Sequence, residues 1–413
     1  MSTAHRPLAQ SLKIALAGVL ACVVVSGAVD PSPGRAADAG SARPSAAPAA
    51  DGDWAHPGYS AGDTYYNPSE SVINTGSINK VRSRWSVNLR LPSPEWVPCA
   101  RPSAPLVSGG RVFVTDKSGI SAYHSKTGAA LWHYSWWDVQ DERTPYLAVS
   151  GGLLLAGNTD CQSTSDPDGG LLALDVATGV ERWHTDLDAP VRSLVVDKGI
   201  AVVSGASASD GQQVTAFRVS DGKVRWGLWD YASGGVVANG RLLVNRTEGG
   251  TGTSALSITT GKKLWTKANV WSAKGADPAG DRFYVSTVGG ALAGIKASTG
   301  AVVWTAPGLS GNIAADGRRV YRSVGNSIEA LDARTGRRRW ITGLAGPTGQ
   351  PVRAGGLLYT TVGAGPPLGI LKAGSGEVAS AGTAFAAVDG GNVVVAGGWL
   401  YFVNGDTLKA YAP

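Results

Sequence analysis

A segment that ends in Gly-x-x-x-Trp recurs six times along this 413-residue chain, and this repeat restricts the fold more than any other feature. The six copies end at Trp132, Trp183, Trp226, Trp265, Trp304 and Trp340. A seventh copy, LGILKAGSGEVAS, keeps its turn at Gly376 and has Ser380 in place of the tryptophan. The copies follow one another at about 40 residues, a period within the range of propeller blades.

Each copy has the pattern of consecutive β-strands. An apolar run such as GGRVFVTD or DGRRVYRS follows a glycine turn, and a second, alternating run leads to a Thr-Gly or Ser-Gly turn before the tryptophan strand. Alternation with a period of two is typical of half-buried strands, and glycine accepts the positive φ of hairpin turns. No segment after residue 50 has a sustained helical period, so we predict an all-β fold with almost no helix.

The two ends of the repeat region complement each other. LKAYAP at the C-terminal end aligns with IEALDA of the sixth copy, without the glycine turn and the tryptophan strand. Near the start, VRSRWSVNL provides a tryptophan strand, with Trp85, that has no turn before it. We therefore predict an eight-bladed β-propeller whose N-terminal strand closes the last blade and leaves no long sheet edge exposed.

The repeated tryptophans are predicted to be structural. One large flat side chain per blade can pack between neighbouring blades and bury roughly 200 Å², and the turn residues before each tryptophan can accept its indole N–H. Ser380 marks the blade whose packing should differ. The structural set is Trp85, Trp132, Trp183, Trp226, Trp265, Trp304 and Trp340.

Residues 1–37 have the pattern of a secretory signal peptide. Arg6 and Lys13 precede the apolar run IALAGVLACVVVSGAV, which is shorter than the roughly 20 residues of a membrane span. The cleavage site stays open. The tetrapeptide VLAC also resembles a lipobox, in which Cys22 would carry a lipid anchor.

The remaining chain divides into a linker and the propeller. Residues 38–52 are rich in Pro and Ala and cannot bury enough apolar surface to fold, whereas residues 53–413 carry the repeats.

Cys99 and Cys161 form an even pair in a chain predicted to be exported, so we predict a disulfide between them. The formal net charge is +6 with the basic residues scattered, which does not favour nucleic-acid binding.

The motif ALDAxTGxxxW, represented here by LALDVATGVERW and EALDARTGRRRW, resembles the PQQ-like propeller repeat. That repeat builds quinoprotein alcohol dehydrogenases and BamB, the lipoprotein subunit of the outer-membrane β-barrel assembly machine. The resemblance covers about residues 53–413 and implies a fold rather than a function. A dehydrogenase would hold PQQ with calcium beside two adjacent cysteines, which this chain lacks. We therefore assign no catalytic, cofactor-binding or metal-binding residue, and PQQ with calcium is the cofactor to test.

The densest aromatic and acidic patch is LWHYSWWDVQDERTPY, in the connection between the first two blades. Exposed aromatic side chains beside carboxylates suit the recognition of sugars or peptides. Two alternatives stay open: the patch packs over a blade edge and covers Cys99 or Cys161, or acids among Asp138, Asp141 and Glu142 cleave a glycoside. The predicted ligand-binding residues are Trp96, His133, Tyr134, Trp136, Trp137 and Asp138.

These patterns lead to a functional prediction. The segment TSDPDGGLLALD departs from a calcium loop and is better explained by a hairpin turn, and no nucleophile elbow, P-loop or zinc signature is present. We expect a monomeric extracytoplasmic protein, secreted or associated with the cell surface, that binds or scaffolds a protein or a cell-envelope polymer. The alternative is an enzyme that uses the propeller funnel, either a PQQ-dependent oxidoreductase or a carbohydrate-active enzyme.

Overall fold

The computed structural model of the protein describes residues 52–91, 99–163, 165–364, 367–380, 382, 385 and 393–413. These residues belong to one compact unit, Ser45–Pro413. The predicted signal peptide, nearly all of the predicted linker, the lipobox residue Cys22 and the candidate Trp96 lie outside the described residues.

The strands of the described residues form eight sheets, which we call blades 1 to 8. Two strands precede blade 1: β1 (Tyr66–Asn67) and β2 (Arg82–Asn88). Blade 1 contains β3 (Leu106–Ser108), β4 (Arg111–Thr115), β5 (Gly119–His124) and β6 (Ala130–Ser135). Blade 2 contains β7 (Tyr146–Ser150), β8 (Leu153–Thr159), β9 (Gly169–Asp175) and β10 (Glu181–Leu187). Blade 3 contains β11 (Ser193–Asp197), β12 (Ile200–Gly205), β13 (Gln213–Arg218) and β14 (Val224–Trp229).

The second half of the chain continues the same arrangement. Blade 4 contains β15 (Tyr231–Ala232), β16 (Val237–Ala238), β17 (Arg241–Arg246), β18 (Thr253–Ser257) and β19 (Lys263–Lys267). Blade 5 contains β20 (Ser272–Ala276), β21 (Arg282–Ser286), β22 (Ala291–Lys296) and β23 (Val302–Leu309). Blade 6 contains β24 (Ile313–Ala315), β25 (Arg319–Val324), β26 (Ser327–Asp332) and β27 (Arg338–Gly343). Blade 7 contains β28 (Val352–Ala354), β29 (Leu357–Thr361), β30 (Leu368–Lys372) and β31 (Val378–Ser380). Blade 8 contains β32 (Val394–Ala396), β33 (Trp399–Asn404), β34 (Thr407–Ala412) and β2.

The blades are arranged as a β-propeller, which confirms the predicted fold class. Within each blade the strands are antiparallel, and the first strands of several successive blades, such as β3 and β7 or β20 and β24, contact each other around the centre. In the described part of the chain the helical structure is one 3-10 turn, η1 (Ile78–Lys80). No helix among these residues is long and apolar enough to cross a membrane.

Blade 8 closes the ring as the sequence predicts. Strand β2 pairs antiparallel with β34, so that Trp85 lies opposite Ala410 and Val87 lies opposite Leu408. The last sheet therefore joins strands from both ends of the repeat region. This closure stabilises both ends and leaves no open edge at the junction between blade 8 and blade 1.

The repeated tryptophans join each blade to the next. Trp132 of blade 1, for example, donates its indole N–H to the carbonyl of Val176 in blade 2, with a distance of 3.1 Å. The acceptor thus lies in the turn of the following blade and not in the turn of the tryptophan's own repeat. The donor and acceptor pairs are Trp85 and Ser125, Trp132 and Val176, Trp183 and Val219, Trp226 and Ile258, Trp265 and Ala297, Trp304 and Ala333, and Trp340 and Ala373.

The glycine of each Thr-Gly or Ser-Gly turn is required by this contact. Gly261 has a φ of +68°, and a Cβ atom there would lie 2.8 Å from the ring of Trp226. The aspartate of the motif shapes the same turn in other blades: Asp175 Oδ1 accepts hydrogen bonds from the amides of Ala177 and Thr178. The Arg182 guanidinium beside Asp175 is the main reason that the pKa of this carboxyl falls to about 2.

Blade 7 carries Ser380 where the other internal repeats carry a tryptophan, and the neighbouring blade 8 lacks the turn on which that tryptophan would pack. Blade 8 has no turn between its third and fourth strands, since β2 provides the fourth strand from the other end of the repeat region. The 3-10 turn η1 contacts β31 instead, with Ile78 and Val81 buried. The predicted difference in packing at Ser380 therefore follows from the way the ring closes.

The segment before β2 contacts every blade in turn, at β16 in blade 4 and at the first strand in the other blades, a feature that the repeat did not predict. Its backbone begins on blade 1 with a bridge between Trp54 and Val107, and β1 adds to blade 7 by parallel pairing with β28. This lead-in segment, residues 54–67, therefore holds the eight blades together near the centre. The contacts in blade order are Trp54 with Val107, Ala55 with Val149, His56 with Val196, Ala61 with Val237, Gly62 with Ala276, Thr64 with Ala315, Tyr65 with Arg353, and Asn67 with Val395.

Candidate functional site

The connection between β6 and β7 is held in place by the predicted disulfide. Cys99 and Cys161 are bonded, with their Cα atoms 6.3 Å apart, and both sulfur atoms lie against the carbonyl of Gln140. Asp141 Oδ1 accepts hydrogen bonds from the amides of Cys161 and Gln162 at 2.9 and 2.6 Å. The acidic part of the patch therefore covers the disulfide, as the structural alternative for this patch predicts.

The two adjacent tryptophans of the patch differ completely in exposure. Trp136 is 6% exposed and its indole N–H has no hydrogen-bond partner, whereas Trp137 is 100% exposed. Asp138, which follows, accepts a hydrogen bond from the amide of Gln140 through Oδ1 at 2.9 Å. A fully exposed tryptophan on a connection fixed by a disulfide suits a binding surface, because little order would be lost on binding.

Tyr134 and the two tryptophans line a cleft between blades 1 and 2 with a volume of about 350 Å³. The Tyr134 and Trp136 rings meet edge to face with their centroids 6.3 Å apart. The hydroxyl of Tyr134 donates to Glu181 Oε2 at 3.3 Å, and burial together with Glu181 raises the pKa of Tyr134 to about 12. Blade 2 provides the rest of the wall, including Asn158, His184 and Asp186.

Glu142 is the most perturbed carboxyl of this cleft. Burial is the main cause that raises its pKa to about 7, and the nearby charges of Asp160, Asp141 and Asp138 raise it further. Asn158 Nδ2 donates to Glu142 Oε2 at 2.5 Å and opposes this shift. The carboxyl can therefore gain or lose a proton near neutral pH, a property common at functional sites.

His133 lies apart from the cleft. Successive strand residues point to opposite faces, so His133 and Tyr134 of β6 face different neighbours. His133 Nδ1 is 3.0 Å from Ser121 Oγ, which donates to the buried carboxylate of Asp116. Burial lowers the pKa of His133, while Asp116 opposes this effect. The structure thus brings Tyr134, Trp136 and Trp137 together and places His133 in a separate hydrogen-bond network.

Two further cavities continue the cleft on either side. A cavity of about 570 Å³ shares Trp136 and Trp137 with it and extends to Gln140. A third, of about 200 Å³ between blades 2 and 3, shares Thr185 and Asp186 with it and extends to Trp229. We call the three together the lateral groove. Asp138 lines the first cavity, so four of the predicted ligand-binding residues belong to this groove.

Sequence reasoning missed the contribution of blades 2 and 3 to the groove. Asn158, His184 and Asp186 come from strands or turns that look like any other repeat, and no motif distinguishes them. The sequence does contain a signal for Trp229, because it is an additional tryptophan three residues after the repeat position Trp226. In the structure Trp229 is 64% exposed.

The residues present do not fit a calcium-bound quinone. The sequence has no adjacent cysteines. Across the described ranges, no three His, Cys, Asp or Glu side chains are grouped closely enough to hold a metal ion. The segment TSDPDGGLLALD departs from a calcium loop in sequence. Its Asp166 accepts a hydrogen bond from Ser209, and its Thr164 lies outside the described residues. We derive no redox step for this chain.

The blade architecture, the ring closure and the tryptophan contacts define the class of protein as a PQQ-like β-propeller. Residues 82–205, 118–248 and 249–353 match the family described as outer membrane protein assembly factor BamB. The chain belongs to this family.

Comparison with individual proteins agrees with this assignment. A BamB of Burkholderia pseudomallei is 29% identical over 174 residues, which are 40% of this chain and 44% of that relative. The chain thus matches less than half the length of that relative. BamB of Moraxella catarrhalis has 17% identity and a TM-score of 0.56 over 81% of this chain and 100% of that chain. Quinohemoprotein alcohol dehydrogenase of Comamonas testosteroni has 14% identity and a TM-score of 0.65, and the match covers 88% of this chain and 81% of that chain. At such identities the two solved structures show the shared fold alone.

Proposed function

We propose that this protein is an exported propeller that binds or scaffolds a partner at the cell envelope, and that the lateral groove is its binding surface. The observation that carries the proposal is the fully exposed Trp137 beside the aromatic cleft formed with Tyr134 and Trp136. Aromatic side chains that stay exposed on a rigid support are the anchors that binding surfaces use most.

Family membership supports a scaffolding function over a redox function. The matching family and the relative from Burkholderia pseudomallei are both named outer membrane protein assembly factor BamB, a name that refers to the assembly of other proteins. We infer that the partner of this chain is a protein, with a cell-envelope polymer as the alternative that the same aromatic surface could bind.

Site-specific photocrosslinking in the producing cells tests this proposal. A photoreactive p-benzoylphenylalanine replaces Trp137 in the full chain, and in a matched control it replaces Val288. Val288 is 87% exposed on the connection between β21 and β22 of blade 5, far along the ring. We expect one covalent adduct at position 137, identified by mass spectrometry, and none at position 288. No adduct at 137, or the same adducts at both positions, would remove the groove as the binding surface.

Export and anchoring form the second part of the proposal. Residues 1–37 would direct the chain out of the cytoplasm, residues 38–52 would act as a tether, and Cys22 would add a lipid if the lipobox is used. Fractionation and intact-mass analysis of the natural product distinguish these arrangements. A mature mass that begins after Ala28 or later indicates a free protein, a lipid-modified Cys22 indicates an anchored one, and a full-length cytoplasmic chain contradicts export.

A further inference from the structure

The lateral groove is lined by carboxylates on a protein that is otherwise basic. Among the described residues that line its three cavities there are five Asp or Glu and no Lys or Arg. Residues 138–210 carry twelve acidic and four basic residues, whereas the whole chain has a formal net charge of +6. The groove acids are Asp138, Glu142, Glu181, Asp186 and Asp188.

The groove acids lie beside the aromatic rings of the cleft. Tyr134, Trp136 and the fully exposed Trp137 border the same cleft as Asp186, and this combination attracts a cation through both the ring faces and the negative charge. His184, the cleft residue that could become cationic, is bound to Glu181 with 2.6 Å between Nδ1 and Oε1. The chemistry of the groove therefore favours ligands with positive charge.

The shape of the groove favours an extended chain. Three cavities follow one another from Gln140 to Trp229 across blades 1, 2 and 3, and strand β10 of blade 2, with Thr185 and Asp186, borders the second on one side and the third on the other. A ligand that reaches all three must therefore cross the outer edge of blade 2 in an extended form. Trp136 lines two of them, is 6% exposed, and has an indole N–H without an acceptor. A buried N–H without a partner carries a free-energy cost, which a peptide carbonyl would remove if the Trp136 ring turned toward the groove.

We propose that the lateral groove binds an extended protein segment rich in Lys or Arg, with a cationic side chain in the cleft beside Trp137. The inference rests on the proposed function, because it specifies the chemistry of the partner at the same surface. Trp229 and Asp188 at the far end of the groove would hold the next part of the segment.

The test measures the binding of fluorescein-labelled decalysine to the full chain by fluorescence anisotropy. The Asp186→Asn/Asp188→Asn variant should weaken binding about tenfold, because two groove charges are lost. The Trp137→Ala variant should weaken it about fivefold, because the cation–π contact is lost. The Glu248→Gln/Asp281→Asn variant is the matched control. It removes the same charge from exposed sites in blades 4 and 5 and should change binding less than about twofold.

Each outcome has a separate meaning. Equal weakening in the two double variants would show that decalysine responds to overall charge, and no saturable binding below about 1 mM would show that the groove does not accept it. Either result overturns the inference. Binding of an uncharged chitin hexamer that depends on Trp137 while decalysine does not bind would also overturn it. An adduct at position 137 would in each case still support the proposed function.

Discussion

The indole N–H of Trp85 donates to the carbonyl of Ser125 with a distance of 3.1 Å, across the junction where the ring closes. The hydroxyl of Tyr401 donates to the same carbonyl at 3.1 Å. Trp85 lies on strand β2 of blade 8, and Ser125 lies in the turn of blade 1. The bond across the junction is therefore the same tryptophan-to-turn hydrogen bond that joins the other neighbouring blades.

Replacing Trp85 should therefore destabilise the protein as much as replacing a tryptophan inside the ring. Trp85→Ala and Trp183→Ala each remove a large ring and one indole hydrogen bond to a backbone carbonyl, at a cost of about 3 kcal/mol in the free energy of unfolding. The Ser125 carbonyl keeps the hydrogen bond from Tyr401 in the Trp85→Ala variant, so most of its cost comes from the lost ring. Urea unfolding followed by circular dichroism measures both. A Trp85→Ala variant as stable as the wild type would show that the junction between blades 8 and 1 is not formed by this contact.

Alanine substitutions at two glycines with the same backbone conformation distinguish the free-energy cost of a positive φ from the cost of a steric clash with a tryptophan ring. Gly179 has a φ of +71° and an added Cβ would lie 2.6 Å from the Trp132 ring, whereas Gly199 has a φ of +72° and open space around it. Gly199→Ala should cost about 1 kcal/mol, since it carries the backbone strain alone. Gly179→Ala should cost at least about 2 kcal/mol more, because the ring must move. Equal melting temperatures for the two variants would contradict the docking of Trp132 on this turn.

Removing the disulfide should loosen the connection that carries Trp137. The bond closes a loop with a sequence separation of 62, which corresponds to about 4 kcal/mol in the chain-entropy model. The Cys99→Ser/Cys161→Ser variant should lose that stability and exchange the amide hydrogens of residues 138–142 faster. Reduced wild-type protein should behave like the variant. Unchanged exchange in this segment would mean that the disulfide does not hold the binding surface in place.

Asp63 of the lead-in segment predicts a dependence of stability on pH. Burial raises its pKa from 3.8 to about 7. Because the folded state binds this proton more tightly than the unfolded state, stability falls as the pH rises from about 4 to about 7 and stays lower above it. Asn accepts the φ of +46° found at Asp63 and has no charge to bury. The melting temperature of Asp63→Asn should therefore exceed that of the wild type at pH 8 by more than at pH 5, while the exposed control Asp281→Asn follows the wild type. Parallel pH profiles for Asp63→Asn and the wild type would contradict the raised pKa.

The fold could be predicted from the sequence because its main determinants are local and repeated. Trp and Gly recur at fixed positions of the repeat. Ser380 stands at the tryptophan position of the seventh copy, and the strand of Trp85 has no turn before it, so the two together indicated where the ring closes. The first strand of each blade was not assigned, and in blade 1 it has three residues, Leu106–Ser108, which give too little alternation to be recognised. The path of the lead-in segment was not predictable either, because its contacts move from one blade to the next along the segment and no repeat encodes that order.

The site was partly predictable for the same physical reason. Trp136, Trp137 and Asp138 are adjacent in sequence and so were found together, and the prediction that they bind a ligand stays a prediction. The residues of blades 2 and 3 reach the groove through tertiary packing, which brings Asp186 beside Trp137 although about fifty residues separate them. His133 lies outside the groove because strand alternation points it away from Tyr134. The prediction grouped the two residues because they are adjacent in an aromatic segment.

Hydrogen–deuterium exchange of the full chain, free and bound to the partner crosslinked at position 137, tests the central claim most directly. The account predicts slower exchange in residues 134–142 and 184–190, which contain the residues that line the lateral groove, and unchanged exchange in the connection at Val288. Protection confined to blades 4 to 7, with residues 134–142 and 184–190 unaffected, would contradict the assignment of the groove as the binding surface.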